Sequence, residues 1–194
     1  MPTAGLVAGV DEVGRGALFG PVIAAAVILP DSAAADLVAA GVTDSKLLSA
    51  AQREQLAAQI KAVALSCQVG MASVQEIDRF NILQASLLAM RRAILRLNPV
   101  PDLCLIDGNQ LVPELTIPQQ TLVKGDQRSL AIAAASIVAK VWRDALIVRL
   151  DRRYPNYGLA SHKGYGTVKH RLAIQQFGTT AQHRQSFSPC RSPL

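Results

Sequence analysis

Aromatic side chains are scarce: four Phe, three Tyr and one Trp make up 4% of the 194 residues. A surface that grips single-stranded nucleic acid by stacking bases on rings needs more of them than this. Charge is also thin at 18%, below the roughly 25% of an average soluble chain. With half the residues hydrophobic and a mean hydropathy of +0.24, the composition excludes a disordered chain. Cysteine is limited to Cys67, Cys104 and Cys190, an odd number at wide spacing. That excludes a zinc-finger pattern and a disulfide framework, and it suits reduced thiols and a cytoplasmic location. No long apolar run is present either. The longest, Val22 to Leu29, falls far short of the roughly 20 residues a membrane helix needs, so no membrane partner is expected. Met1-Pro2-Thr3-Ala4 brings no charged segment of the kind that opens a secretory leader.

What is present is basic charge, unevenly placed. Lys and Arg outnumber Asp and Glu by 20 to 14, and the isoelectric point is about 9.6. Residues 140–194 carry ten Lys/Arg and only Asp144 and Asp151, whereas residues 1–139 carry ten Lys/Arg against twelve acids. A basic, aromatic-poor surface points to a polyanion held through its backbone. A chain of this length buries about 70% of its unfolded surface and needs no covalent staple.

Periodicity divides the chain into alternating elements. Two strands, from Leu6 to Val10 and from Pro21 to Leu29, are joined by a glycine-rich turn, and a third covers Ala64 to Ala72. Helices are expected over Ser49 to Ala64, Asn81 to Leu97, Ser129 to Arg153 and Thr167 to Gln176. Short strands fall at Leu103 to Ile106 and Gln119 to Val123, and the stretch from Ser186 reads as a tail. Three early strands followed by strands alternating with helices predict an α/β domain with a mixed sheet. The boundaries expected are a catalytic domain over 1–155 and a C-terminal helical segment with its tail over 156–194. The alanines of the long helix, Ala131, Ala133, Ala134, Ala135 and Ala139, would let a neighbouring backbone approach closely.

Three of the strand-like runs end in acids: Asp11-Glu12, Asp107 and Asp126. Neighbouring strands would bring those ends together, and clustered carboxylates bind hard divalent cations. Adjacent strand residues face opposite ways, so Asp11 and Glu12 share one site only if the strand bends or ends there. Spacing alone leaves alternatives open, since Asp107-Gly108 is a common turn pair and Asp126 could cap the long helix.

Gly14-Arg15-Gly16 and Gly20 follow the first strand as the glycines of a dinucleotide loop would, and Tyr165-Gly166-Thr167-Val168-Lys169 carries the tyrosine and lysine spacing of short-chain dehydrogenases. That oxidoreductase reading fails on context. The glycines lead into Pro21 and a β-branched run instead of a helix N-terminus, and two acids beside them would repel a pyrophosphate. Close approach of the glycine amides to a sugar-phosphate backbone, with Arg15 at a phosphate, suits the loop better. A duplex-binding domain without activity is the other alternative, but it gives no reason for the acids.

The segment AGVDEVGRGALFGPV resembles the opening motif of the type 2 ribonuclease H family, in its bacterial ribonuclease HII branch. TDSKLLS, LIDGN, VKGDQRSLAIAAASIVAKVWRD and YPNYGLASHKGYGTVKH are similar to further blocks of that family in the same order, from residue 8 to about 170. The resemblance implies a ribonuclease H-like fold and cleavage of the RNA strand of RNA/DNA hybrids. It also implies nicking 5′ of single ribonucleotides in duplex DNA, leaving 3′-hydroxyl and 5′-phosphate ends, in ribonucleotide and primer removal. Asp11, Glu12, Asp107 and Asp126 match the family's four ligands for two Mg²⁺ or Mn²⁺ ions, with Asp11 expected to bridge them. Gly14, Arg15 and Gly16 match its 2′-hydroxyl and phosphate motif, Tyr165 its tyrosine at the deoxyribose beside the junction, and Lys46 a phosphate-contact block. Leu47 stands where many members carry a second lysine. The sequence carries no oligomerisation signal, which leaves a monomer as the default, and it does not identify a replication-protein partner.

Overall fold

The structure, a computed structural model, describes residues 5–43 and 45–191. Met1 to Ala4, Asp44 of the DSK block and the last three residues of the tail lie outside the described residues.

Five strands form one mixed sheet in the order β3-β2-β1-β4-β5. They are β1 (Val7–Val13), β2 (Val22–Ile28), β3 (Ser66–Ala72), β4 (Leu103–Asp107) and β5 (Gln119–Leu122). The pairings β1/β2 and β2/β3 are antiparallel, and β1/β4 and β4/β5 are parallel. The mixed α/β sheet expected from the element order is therefore the one observed.

Helices cover both faces, which explains why β2 reads as an unbroken apolar run. On one face, Ala8, Val10, Ala24, Ala26, Cys104 and Ile106 pack against Ala85, Ala89, Met90 and Ala93 of α4 (Ile82–Ile94). On the other, Ile23, Ala25 and Val27 meet Leu56, Ala57 and Ile60 of α2 (Ala50–Val63) and the alanines of α5 (Leu130–Asp151). Ser49 starts α2 through a reciprocal capping box with Gln52. Ser129, and not Asp126, caps α5 by accepting from the Ile132 amide.

The alanine-rich face of α5 lies directly on β1, as its small residues predict. A methyl group added at Gly9 would come within 2.1 Å of the Ala131 carbonyl carbon, so helix and strand backbones touch. This close approach sets how far α5 stands from the acidic end of β1.

A third apolar cluster lies beyond the end of the sheet. There Leu18 and Phe19 pack with Ile147 of α5, Tyr157, Leu159, Ile174 and Cys190. The stretch from Ser186 is not a loose tail over its described part. Ser186 bonds Asp78 through its backbone amide at 2.9 Å and its hydroxyl at 2.6 Å, and Cys190 is buried.

Candidate active site at the end of the sheet

The ladder between β1 and β4 runs from Val7 with Leu103 to Val10 with Ile106. One further step along both parallel strands places Asp11 beside Asp107. The two acids thus meet because parallel strands in this register end at the same level. Asp11 does not end its strand, however. β1 continues in unbroken register with β2 through Val13, with Asp11 opposite Ala25 and Glu12 opposite Ala24. No bend brings the first two acids to one face; they reach the end of the sheet from opposite sides.

Asp11 turns toward α5, where Ser136 bonds its carboxylate and in turn shares a 2.9 Å hydrogen bond with Ser45. The Glu12 backbone amide donates to Asp11 Oδ1 at 2.7 Å. Glu12 faces the α4 side and lines a cleft of about 200 Å³ together with Arg15, Ser86, Met90, Asp107 and Asn109. Asp107 accepts a 2.7 Å hydrogen bond from the Gly125 amide. That bond ties β4 to the short 3-10 turn Gly125–Gln127, which carries Asp126. Asp126 therefore sits in a turn after β5 and not on the strand end that its sequence position suggests. A Cβ at Gly125 would press on the Ile132 Cδ1 methyl at 2.5 Å and on Asp107 Oδ1 at 3.2 Å.

Asp11 and Asp126 are both buried. Burial pushes the Asp11 carboxyl well above the usual range, and the negative charges of Glu12 and then Asp107 push it in the same direction. Burial also raises Glu12, against the pull of Arg15, whose guanidinium lies 3.0 Å from Glu12 Oε1. Lys46 Nζ lies 3.7 Å from Asp126 Oδ2 on a largely exposed side chain. Two of the acids are thus matched to protein cations. Among the described residues no three His, Cys, Asp or Glu side chains converge closely enough to hold one ion together.

Beside the acids, residues 14–20 form a loop gripped on both sides. The Leu18 amide donates to the Gly164 carbonyl at 2.8 Å, the Arg184 amide to Leu18 at 2.9 Å, and the Gly20 amide to Gln182 at 2.8 Å. Isolated bridges join Ala17 to Tyr165 and Phe19 to His183. Tyr165 is therefore brought next to the Gly14-Arg15-Gly16 loop, with Lys140 Nζ 5.7 Å and Arg143 Cζ 5.4 Å from its ring centroid. Gly14 has a φ of +91°, and a side chain there would also collide with Arg143 at 2.2 Å. Gly16 has open space around it.

Behind Tyr165 runs a buried chain of imidazoles. The Thr180 amide donates to His183 Nδ1 at 2.9 Å, which leaves the His183 proton on Nε2. That proton is shared with His170 Nε2 at 3.2 Å, so His170 carries its own on Nδ1 and donates it to the Tyr165 carbonyl at 3.0 Å. Burial, and then the facing His170, lowers His183 to about 4, and burial lowers His170 as well.

Asp11, Glu12, Asp107, Asp126, Gly14, Arg15, Gly16, Lys46 and Tyr165 all lie at or beside this end of the sheet. Ser45, Arg143, Arg184 and the His170–His183 pair escape a reading of functional residues from the sequence. Serine and histidine patterns give no sign of them, and buried arginines are hidden inside a segment that counts as basic surface.

The mixed sheet, the helices on both faces and the acids gathered at one end of the sheet define a ribonuclease H-like α/β enzyme. A family model described as Ribonuclease HII matches residues 8–190. Ribonuclease HII of Acaryochloris marina is 66% identical over 97% of this chain and 95% of its own length. That of Trichodesmium erythraeum is 64% identical over 97% and 90%. Among solved structures, the ribonuclease H2 of Pyrococcus horikoshii superposes with a TM-score of 0.80 at 26% identity, covering 96% of this chain and 95% of that one. The ribonuclease HII of Archaeoglobus fulgidus, solved in complex with PCNA, gives 0.80 at 27%, covering 97% and 98%. The chain belongs to the ribonuclease HII family and is a ribonuclease H endonuclease.

Proposed function

We propose that the chain cuts the RNA strand of RNA/DNA hybrids and nicks duplex DNA on the 5′ side of single ribonucleotides, leaving 3′-hydroxyl and 5′-phosphate ends. The observation that carries this reading is the acidic end of the sheet. There Asp11 is buried between Glu12 and Asp107, directly beside the Gly14-Arg15-Gly16 loop.

Asp11, Glu12, Asp107 and Asp126 are the residues that would hold two divalent ions. Their donors are hard carboxylate oxygens, as Mg²⁺ and Mn²⁺ require. The burial of Asp11, with the repulsion of Glu12 and Asp107 added to it, and the unpartnered hydroxyl of Ser86 in the Glu12 cleft both suit a hydrated cation. Bound there, the ions supply a nucleophilic water at neutral pH and offset charge on the leaving oxygen. Arg15 holds Glu12 through Oε1 alone, so the second carboxylate oxygen could face an ion. Ser136 and the Glu12 amide hold Asp11 in one orientation, and the Gly125 amide does the same for Asp107.

Recognition falls to the loop and its neighbours. The amides of Arg15 and Gly16 suit the ribose 2′-hydroxyl and the adjacent phosphate, the exposed Lys46 suits a phosphate, and the Tyr165 ring suits the next deoxyribose. The segment 156–194 contributes by holding Tyr165 against the loop. The basic surface from Lys140 onward holds the duplex backbone, without Arg143 and Arg184, which are buried. The test is a gel assay of a labelled duplex with one ribonucleotide, run with Mg²⁺, with Mn²⁺ and with chelator. Cleavage only with metal and only 5′ of the ribose is expected; metal-independent cleavage, or none, contradicts the reading.

A further inference from the structure

Arg184 is fully buried and forms no ion pair among the described residues. All its listeners are backbone carbonyls: Nε donates to Gly20 at 3.0 Å, Nη1 to Arg15 at 2.7 Å and Nη2 to Gly14 at 2.7 Å. Burying a charge costs stability, and the three carbonyl bonds and the Phe187 ring, 5.1 Å from Cζ, offset part of that cost. The distinctive property of the guanidinium is a planar fork that can hold several acceptors at fixed angles.

The consequence lies on the other side of the same two peptides. A trans peptide points its N–H opposite to its C=O. With the Gly14 and Arg15 carbonyls drawn inward to Arg184, the amides of Arg15 and Gly16 must point outward. Both residues are exposed, and neither amide has an acceptor among the described residues. Two successive free amides directed to one side form an anion- and hydroxyl-binding concavity. Arg143 supports the far end of the loop in the same manner, donating to Phe19 at 3.0 Å and to Lys163 at 2.9 Å.

We infer that Arg184 is a positioning residue for ribose recognition, holding the Gly14 and Arg15 carbonyls so that the Arg15 and Gly16 amides form a fixed pair of donors for the 2′-hydroxyl and its neighbouring phosphate. The inference rests on the proposed role of Gly14-Arg15-Gly16 at the ribose. Arg184→Lys keeps the charge but loses the fork, and Arg184→Met keeps the volume and loses the charge. Gly16→Ala places a methyl group in open space on the face where a ribose would sit, so it probes the underlying role without disturbing the fold.

The experiment measures binding of a duplex with one ribonucleotide and of its all-DNA counterpart, in chelator, alongside kcat/KM for cleavage with Mg²⁺. Both Arg184 variants are expected to fold by circular dichroism and to hold all-DNA duplex as the wild type does. They should lose the preference for the ribonucleotide duplex and about 100-fold in kcat/KM, the scale of a misplaced contact. A merely structural role would lower the melting temperature and leave that preference intact in the folded fraction. If Gly16→Ala loses the preference and folded Arg184→Lys or Arg184→Met keeps it, the inference is overturned while the loop's role stands. If Gly16→Ala also keeps it, the loop's role itself falls. Should neither Arg184 variant fold, amide NMR of the wild type decides. Selective shifts of the Arg15 and Gly16 amides with the ribonucleotide duplex support the inference, and equal shifts with both duplexes overturn it.

Discussion

Asp107 stands level with Asp11, one step past the last ladder pair of two parallel strands, Val10 with Ile106. Neighbouring parallel strands are about 4.8 Å apart, so the register alone forces two carboxylates together. With Glu12 arriving from the opposite face, the protein buries a repulsion that the fold does not need.

Relieving that repulsion should strengthen the fold while removing activity. Asp11→Asn is expected to raise stability by on the order of 1 kcal/mol, read from urea denaturation. Hybrid binding in chelator should stay within a few-fold of wild type. A clear loss of stability would mean that the Asp11 charge is structurally required.

Ser136 acts on the reaction only through Asp11, since it is buried and bonds Asp11 and Ser45. Ser136→Ala should lower kcat by about 10- to 100-fold, the usual cost of losing a partner that orients a ligand, with KM for hybrid little changed. Steady-state kinetics with Mg²⁺ check this, and a change confined to KM would remove Ser136 from that role.

The contact between Gly9 and α5 should be intolerant of any side chain. Gly9→Ala forces two backbones apart, because the new methyl meets the Ala131 carbonyl carbon at 2.1 Å and the Ile132 amide nitrogen at 2.3 Å. A loss of about 3 kcal/mol or more is expected in chemical denaturation, at the upper end for overpacking.

The His170–His183 pair gives the fold a pH dependence. His183 is lowered to about 4 by burial and by His170, below the roughly 6.5 of an unfolded histidine. Between those values the unfolded chain binds more protons, so stability falls as pH drops from about 6.5 to about 4 and levels off below. Imidazole NMR should give a His183 midpoint near 4. Denaturation midpoints at pH 7 and 5 should differ less in His183→Gln than in the wild type.

Most elements were legible because their causes are local. Ser49 caps α2, the β2 run is apolar on both faces, and the alanines of α5 declare a close helix-strand contact. Asp107 was legible as a strand end, whereas β1 runs on past Asp11 to Val13 and Asp126 belongs to a turn whose shape depends on Asp107 binding the Gly125 amide. Arg184 was hidden for a different reason. Its partners are carbonyls 164 to 170 positions away, and carbonyls leave no trace in side-chain patterns. The described part of the C-terminal stretch looked like a tail because its anchors, Asp78 and the cluster around Phe19, are equally remote.

The central claim is that Asp11, Glu12, Asp107 and Asp126 together hold the divalent ions used in cleavage. Calorimetric titration of Mn²⁺ into the protein bound to an uncleavable hybrid, for wild type and for Asp11→Asn, tests it most directly. The account predicts saturable Mn²⁺ uptake by the wild type that is lost or weakened at least about 100-fold in Asp11→Asn, together with loss of cleavage on the matching ribonucleotide substrate. Equal Mn²⁺ uptake and near-normal cleavage by Asp11→Asn would contradict it.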